Sequence, residues 1–167
     1  MSASAQPSGK GTIAAFLPVL VRWLLGICFI YMGLNKALHP VDFLKLVRQY
    51  DMVQWHLLLN LIAALLPWFE IFCGLLLVAG VAVRGSALML VLMLIPFTLV
   101  VIRRALAIQG ASGLAFCMIK FDCGCGTGEV FICRKIAENT AMVLLAVGLL
   151  FCRTGRLSLK YSLAGKP

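Results

Sequence analysis

Charge is scarce in this chain, and negative charge most of all. Asp and Glu together number six against fifteen Lys and Arg in 167 residues, and charged side chains make up 13% of a sequence that is 62% hydrophobic. Soluble globular domains carry about 25% charged residues. With a mean hydropathy of +1.02, the composition excludes an ordinary water-soluble fold and leaves a membrane protein of one small domain. Histidine is scarce as well. His39 and His56 are the two in the chain, and both fall in the connection between the first two apolar runs, which argues against a bis-histidine haem held between helices. No internal repeat and no separate soluble domain is visible.

What the chain has in quantity is long apolar sequence. Crossing a bilayer takes about 20 mostly apolar helical residues, and four stretches approach that length: 13–34, 57–83, 85–102 and 136–151. The fourth is short unless its helix starts earlier, near Glu129, and carries Arg134, Lys135 and Glu138 through the headgroups, with Arg134 and Glu138 as an i,i+4 pair. The first run contains Arg22 and is followed by no small-residue cleavage pattern, so it reads as a retained helix rather than a secretion signal. The turn at Arg84-Gly85 is so short that the flanking helices form an antiparallel hairpin. Between the first two runs, 40–50 opens on a proline suited to a first helical turn and sets Val41, Leu44 and Val47 apart from Asp42, Lys45 and Arg48. This predicts an amphipathic helix on the membrane surface. The expected fold is all-α: a membrane four-helix bundle with a short interfacial helix between helices one and two. Residues 1–12 and 153–167 are expected to be tails of a single domain over 13–152.

A formal charge of +9 suggests nucleic acid only until the basic residues are located. Lys36, Arg84, Arg103, Arg104, Arg153, Arg156 and Lys160 mostly flank apolar runs, as headgroup anchors do, and no nucleic-acid partner is expected. Orientation by charge is weak. A cytoplasmic N-terminus leaves Lys36, Lys45, Arg48, Arg103, Arg104, Lys120, Arg134 and Lys135 outside, so the bias alone leans the other way.

Arg22 and Glu70 both fall inside apolar runs, where an ionised side chain costs about 2.5–3.5 kcal/mol or more and normally faces a partner or a wet cavity. At 1.5 Å per residue they lie roughly 14 and 20 Å from one membrane face, so they are expected to be neighbours, with a kink at Pro67 absorbing the difference. Two roles are open: an ion pair that fixes helix packing, or a site for a small polar ligand such as a quinone headgroup. Asn139 suits helix capping, a bond between helices, or a site near the next feature.

That feature is the connection 103–135, which holds four of the seven cysteines. A connection this long is more often functional than idle. Cys28, Cys73 and Cys152 lie in or beside apolar runs and behave as small hydrophobes. Cys117, Cys123, Cys125 and Cys133 could together hold zinc, but structural zinc sites usually place two to four residues between paired ligands, and Cys123 and Cys125 enclose one. Exchange chemistry suits that spacing better: a thiolate attacks a disulfide, and a second nearby thiol resolves the mixed disulfide. Lys120, Arg134 and Lys135 could stabilise the thiolate. Cys133 or Cys117 could reload the pair, or the two could form a fixed disulfide bracing the loop.

Taken in order, Arg22 and Gly26, Gly33-x-x-Lys36 with Pro40 and Phe43, Tyr50, Pro67-x-x-Glu70-x-x-x-Gly74, Cys123-Gly-Cys125-Gly, Arg134 and Asn139 resemble the DoxX/MauE redox-associated membrane proteins from Arg22 to Phe151. Gly126 directly follows Cys125, where that family commonly carries an aromatic residue. The resemblance implies a multi-pass protein of the bacterial inner membrane, with the cysteine loop extracytoplasmic and the termini cytoplasmic. For MauE-type members it implies disulfide formation in methylamine utilisation beside a thioredoxin-like partner, and for DoxX an association with a thiosulfate:quinone oxidoreductase. The reading that follows is thiol–disulfide exchange at Cys123, Cys125 and Cys133 with an extracytoplasmic partner protein, with Arg22 and Glu70 serving a quinone. The alternative is a non-catalytic membrane-complex subunit whose cysteines bind metal or form fixed disulfides.

Overall fold

A computed structural model describes residues 10–49, 56–122 and 128–152, and the fold is mostly helical. Helix α1 runs Lys10–Leu38, α2 Pro40–Gln49, α3 His56–Ala79, α4 Val83–Ser112 and α5 Ile132–Phe151. Between α4 and α5 lie a single 3-10 turn, Phe116–Met118, and two short strands, β1 Lys120–Asp122 and β2 Glu129–Phe131. These pair antiparallel, with Lys120 opposite Phe131 and Asp122 opposite Glu129. The all-α expectation therefore needs one addition, a small hairpin.

Three helices are long and apolar enough to cross a membrane, through Phe16–Leu38, Asn60–Ala79 and Val83–Ser112. Their outer faces carry Leu20, Trp23, Trp68, Phe72, Leu92 and Leu99, all exposed. In a bilayer that surface meets lipid, so exposure carries no penalty. Helix α5 has 20 residues, but Arg134, Lys135 and Glu138 crowd its first two turns.

Helix α1 packs most extensively against α3, and α4 against α5. The first pairing is a seam of small residues. A Cβ added to Gly26 would lie 2.8 Å from the Gly74 carbonyl oxygen, one on Gly74 2.7 Å from the Gly26 oxygen, and one on Gly33 2.7 Å from the Pro67 oxygen. Without side chains there, the two backbones touch. The α3–α4 hairpin expected at Arg84 is present. The N–H of Val81 donates to the Leu76 carbonyl at 3.0 Å and that of Gly80 to Leu77 at 3.2 Å. Gly80 takes the left-handed φ of 77° that ends a helix in this way.

The long connection is shorter than 103–135. Helix α4 continues ten residues past the expected end to Ser112: 103–112 holds no proline, its one glycine, Gly110, stays helical, and the helix ends at Gly113, which adopts φ 67° and donates its N–H to the Gln109 carbonyl at 2.9 Å. Only His39 separates α1 from α2. On α2 Phe43 is buried and Leu44 and Val47 are half-buried, while Val41 is exposed, so the packed face centres on Phe43 and takes in two of the three expected residues.

A core of Leu25, Phe29, Cys73, Leu77, Leu90, Leu94, Ala146 and Leu149 joins α1, α3, α4 and α5. A smaller cluster of Val101, Ala105, Ile119 and Ile132 seats the hairpin on the ends of α4 and α5.

Candidate functional site

The antiparallel seam fixes what each intramembrane charge can reach. Gly33 of α1 lies against Glu70 and Pro67 of α3, and Gly26 against Gly74 and Val78. Lys36 follows Gly33 by one turn on the same face, and helical side chains lean back toward the N-terminus. Its ammonium therefore drops to the level of Glu70, where it donates to both carboxylate oxygens at 2.5 and 2.7 Å. Both side chains are buried, at 5% and 7% exposure. The rings of Phe43 and Phe97 flank the ammonium, with centroids 5.4 and 5.9 Å away, adding cation–π attraction.

Two sequence expectations change here. Glu70 pairs with Lys36, not Arg22, and Lys36 is a buried partner rather than a headgroup anchor. Arg22 is buried too, but it lies one turn before Gly26, level with the end of α3. That is nine residues, about 14 Å, from Glu70. Depth measured from the ends of apolar runs missed this because the glycine seam, not the run boundaries, sets the register.

The α4–α5 pair contributes the other half of the site. Lys135 and Asn139 of α5 are buried at 3% and 1% exposure. Together with Lys36, Glu70, Phe29, Phe97 and several aliphatic side chains they line a small, mostly apolar cavity of about 40 Å³. Thr98 of α4 donates its hydroxyl to the Leu94 carbonyl at 2.7 Å and accepts from the Asn139 Nδ2 amide at 3.0 Å. The Asn139 Oδ1 atom has no hydrogen-bond partner among the described residues. Asn139 thus bonds across helices, one of the roles expected for it, and also lines this cavity. Arg134 donates to Glu138 at 2.8 Å as the i,i+4 pair anticipated. Lys135, expected in the headgroups or beside a thiolate, is instead buried, with its ammonium 3.9 Å from Glu138.

The hairpin carries the sulfur chemistry. Cys117, in the 3-10 turn, is joined by a disulfide to Cys133, in the first turn of α5, with their Cα atoms 5.1 Å apart. Cys117 is exposed and Cys133 half-buried. The two are joined, which both roles open for them allow. The bond occupies two of the four sulfurs a loop zinc site would use. Among the described residues no group of three His, Cys, Asp or Glu is arranged to hold a metal. Cys123 and Cys125 lie outside the described residues, between Asp122 of β1 and Glu129 of β2. Lys120 rests over the Phe131 ring, 4.3 Å from its centroid. His39 is exposed at the end of α1.

Lys36 is the member of the buried cluster that sequence reasoning misplaced, although Gly33-x-x-Lys36 and Pro67-x-x-Glu70 were both visible. The available signal was a glycine one turn from each member of the eventual contact, Gly33 before Lys36 and Gly74 after Glu70.

No curated protein and no solved structure matches this chain. The family model described as methylamine utilisation protein MauE matches residues 14–152, taking in all three apolar spans, both buried lysines, Glu70, Asn139 and every cysteine of the hairpin region; the chain belongs to the MauE family.

Proposed function

We propose that this membrane protein exchanges thiol and disulfide equivalents with a partner protein in methylamine utilisation, through Cys123 and Cys125. The observation that carries the reading is the hairpin. Asp122 and Glu129 pair across its open end and the Cys117–Cys133 disulfide ties its foot, so the intervening cysteines sit on a segment anchored at both ends.

The chemistry balances without a bound cofactor at this step. A thiolate of the partner attacks the Cys123–Cys125 disulfide and forms a mixed disulfide. The partner's second thiol then displaces it. The partner leaves oxidised, and Cys123 and Cys125 become thiols, taking up the two protons that the partner's thiols lose. Attack on the exposed Cys117–Cys133 disulfide rejoins Cys123 and Cys125 and leaves Cys117 and Cys133 reduced, which gives Cys133 its reloading role. A partner oxidoreductase or a membrane quinone takes the electrons onward. For a quinone, the part first assigned to Arg22 with Glu70 passes to Glu70 with Lys36.

Disulfides persist in oxidising compartments, which favours the hairpin on the extracytoplasmic face of a bacterial inner membrane with α5 as a fourth crossing and the termini cytoplasmic. Helix α2, at the same end, then lies at the interface. A thioredoxin-like protein or another extracytoplasmic redox protein fits as partner.

A Cys125→Ser variant, expressed with its genomic neighbours and run under non-reducing conditions, should accumulate mixed disulfides through Cys123. Absence of thiol-dependent adducts would remove the proposal. The Cys117–Cys133 disulfide also favours a second reading, a non-catalytic anchoring subunit with a fixed brace. Thiol counting before and after mild reduction separates the two, since a carrier yields a readily reducible pair and an anchor does not.

A further inference from the structure

The disulfide at the foot of the hairpin has two unlike ends. Cys117 lies in the 3-10 turn Phe116–Met118, where successive side chains splay by about 120°. Phe116 takes the inward direction and packs on the cluster of Val101, Ala105, Ile119 and Ile132, which leaves Cys117 and Met118 exposed, Met118 at 65%. Cys133, in the first turn of α5, is half-buried and packs against that same cluster. A thiolate strikes a disulfide in line, from beyond the sulfur it attacks, so access decides which sulfur is struck. The covered sulfur is also the better leaving group. Cys133 is the second residue of a 20-residue helix whose N-cap, Phe131, offers the first-turn N–H groups no side-chain hydrogen bond. Negative charge is stabilised at such an end, whereas the turn holding Cys117 is three residues long and supplies no such field.

We infer that the Cys117–Cys133 disulfide opens in one direction, with Cys117 as the sulfur attacked and Cys133 as the sulfur that leaves. This rests on the exchange reading, in which that disulfide reloads Cys123 and Cys125. The incoming thiolate bonds to Cys117 Sγ as the S–S bond breaks, and the bonding electron pair departs on Cys133 Sγ. A second thiol of the attacker then displaces Cys117. The attacker ends as a disulfide, and its two protons pass to Cys117 and Cys133. When the second thiol is slow, Cys133 strikes Cys117 Sγ again and expels the attacker, which makes Cys133 the resolving thiol. Reoxidation by a protein disulfide retraces the path: the mixed disulfide forms on Cys117, and Cys133 closes it.

The test uses the full chain carrying Cys123→Ser and Cys125→Ser, in lipid nanodiscs, with its free thiols blocked by N-ethylmaleimide. Glutathione is added, the reaction is stopped with acid at a series of early times, and the newly freed thiol is labelled with deuterated N-ethylmaleimide. Peptide mapping by mass spectrometry then gives the ratio of the two adducts, extrapolated to zero time, before reclosure exchanges them. Glutathione on Cys117 with the label on Cys133 should exceed the reverse adduct by about tenfold, because access and leaving-group stability act in the same sense. Equal amounts, or an excess of the reverse adduct, overturn the inference. A disulfide that glutathione leaves intact overturns it as well. Neither result touches the exchange reading itself, which the partner adducts of Cys125→Ser decide on their own.

Discussion

The Lys36 ammonium bonds both oxygens of Glu70, at 2.5 and 2.7 Å, across the α1–α3 seam, with each side chain more than nine-tenths buried. Two charges withdrawn this far from water are tolerable together and costly apart. Removing one partner of a buried pair typically destabilises by about 3–5 kcal/mol, whereas replacing both by apolar residues of similar volume is often neutral. Lys36→Met and Glu70→Leu should each lower stability by about that amount in detergent unfolding titrations, and the double variant should recover most of the loss. Additive losses would show that the pair does not act as a unit. Arg134→Gln, which breaks a pair whose arginine is 76% exposed, should change stability by about 0.5 kcal/mol at most.

The glycine seam predicts a sharp contrast between positions. Gly74→Val places atoms where the Gly26 carbonyl oxygen already stands, and forcing extra volume into a packed contact costs typically about 1–3 kcal/mol. Gly148→Ala on α5 meets nothing within 4 Å and should be neutral or slightly stabilising, since alanine is the better helix former. Thermal or denaturant midpoints in one detergent check both.

How much of this was open to sequence reading depends on which force set each feature. Three of the four expected apolar spans, the tight α3–α4 turn and the Arg134–Glu138 pair follow from local pattern and stand as expected. The Lys36–Glu70 pair does not, because it depends on which residues of two distant helices come level, and three glycines with no side chain to announce a contact decide that. The hairpin was hidden for another reason: β1 and β2 have three residues each, too few for an alternation of apolar and polar positions to register. Arg103 and Arg104 suggested the end of a span and therefore of a helix, but α4 outlasts its apolar stretch.

Thr98 holds the Asn139 amide in one orientation, so the two can be tested apart. Thr98→Val leaves Nδ2 unpartnered in a buried position, and the loss should be about 1–3 kcal/mol. Thr98→Ser keeps the hydroxyl and should stay within about 0.5 kcal/mol of the parent. A loss in Thr98→Ser with none in Thr98→Val would point to the threonine methyl rather than its oxygen.

The Cys117–Cys133 disulfide closes a loop with a sequence separation of 16 residues, and crosslinks of that size contribute about 3 kcal/mol by restricting the unfolded chain. Cys117→Ser should lower stability by about that amount relative to the oxidised parent, and the difference should vanish when both are compared under full reduction. In the exchange reading, Cys133→Ser should also form the first adduct with the partner at Cys123 or Cys125 yet fail to sustain turnover, as followed by partner oxidation over time.

The contact of bare backbone at Gly26 and Gly74 makes α1 and α3 one stiff beam, and α4 with α5 forms another. Slack in such a frame collects where the beams meet, along the line that holds Lys36 and Glu70 on one side and Lys135 and Asn139 on the other. A change in the angle between the two pairs would alter this joint, where Lys36, Glu70, Lys135 and Asn139 meet, before it disturbed either seam.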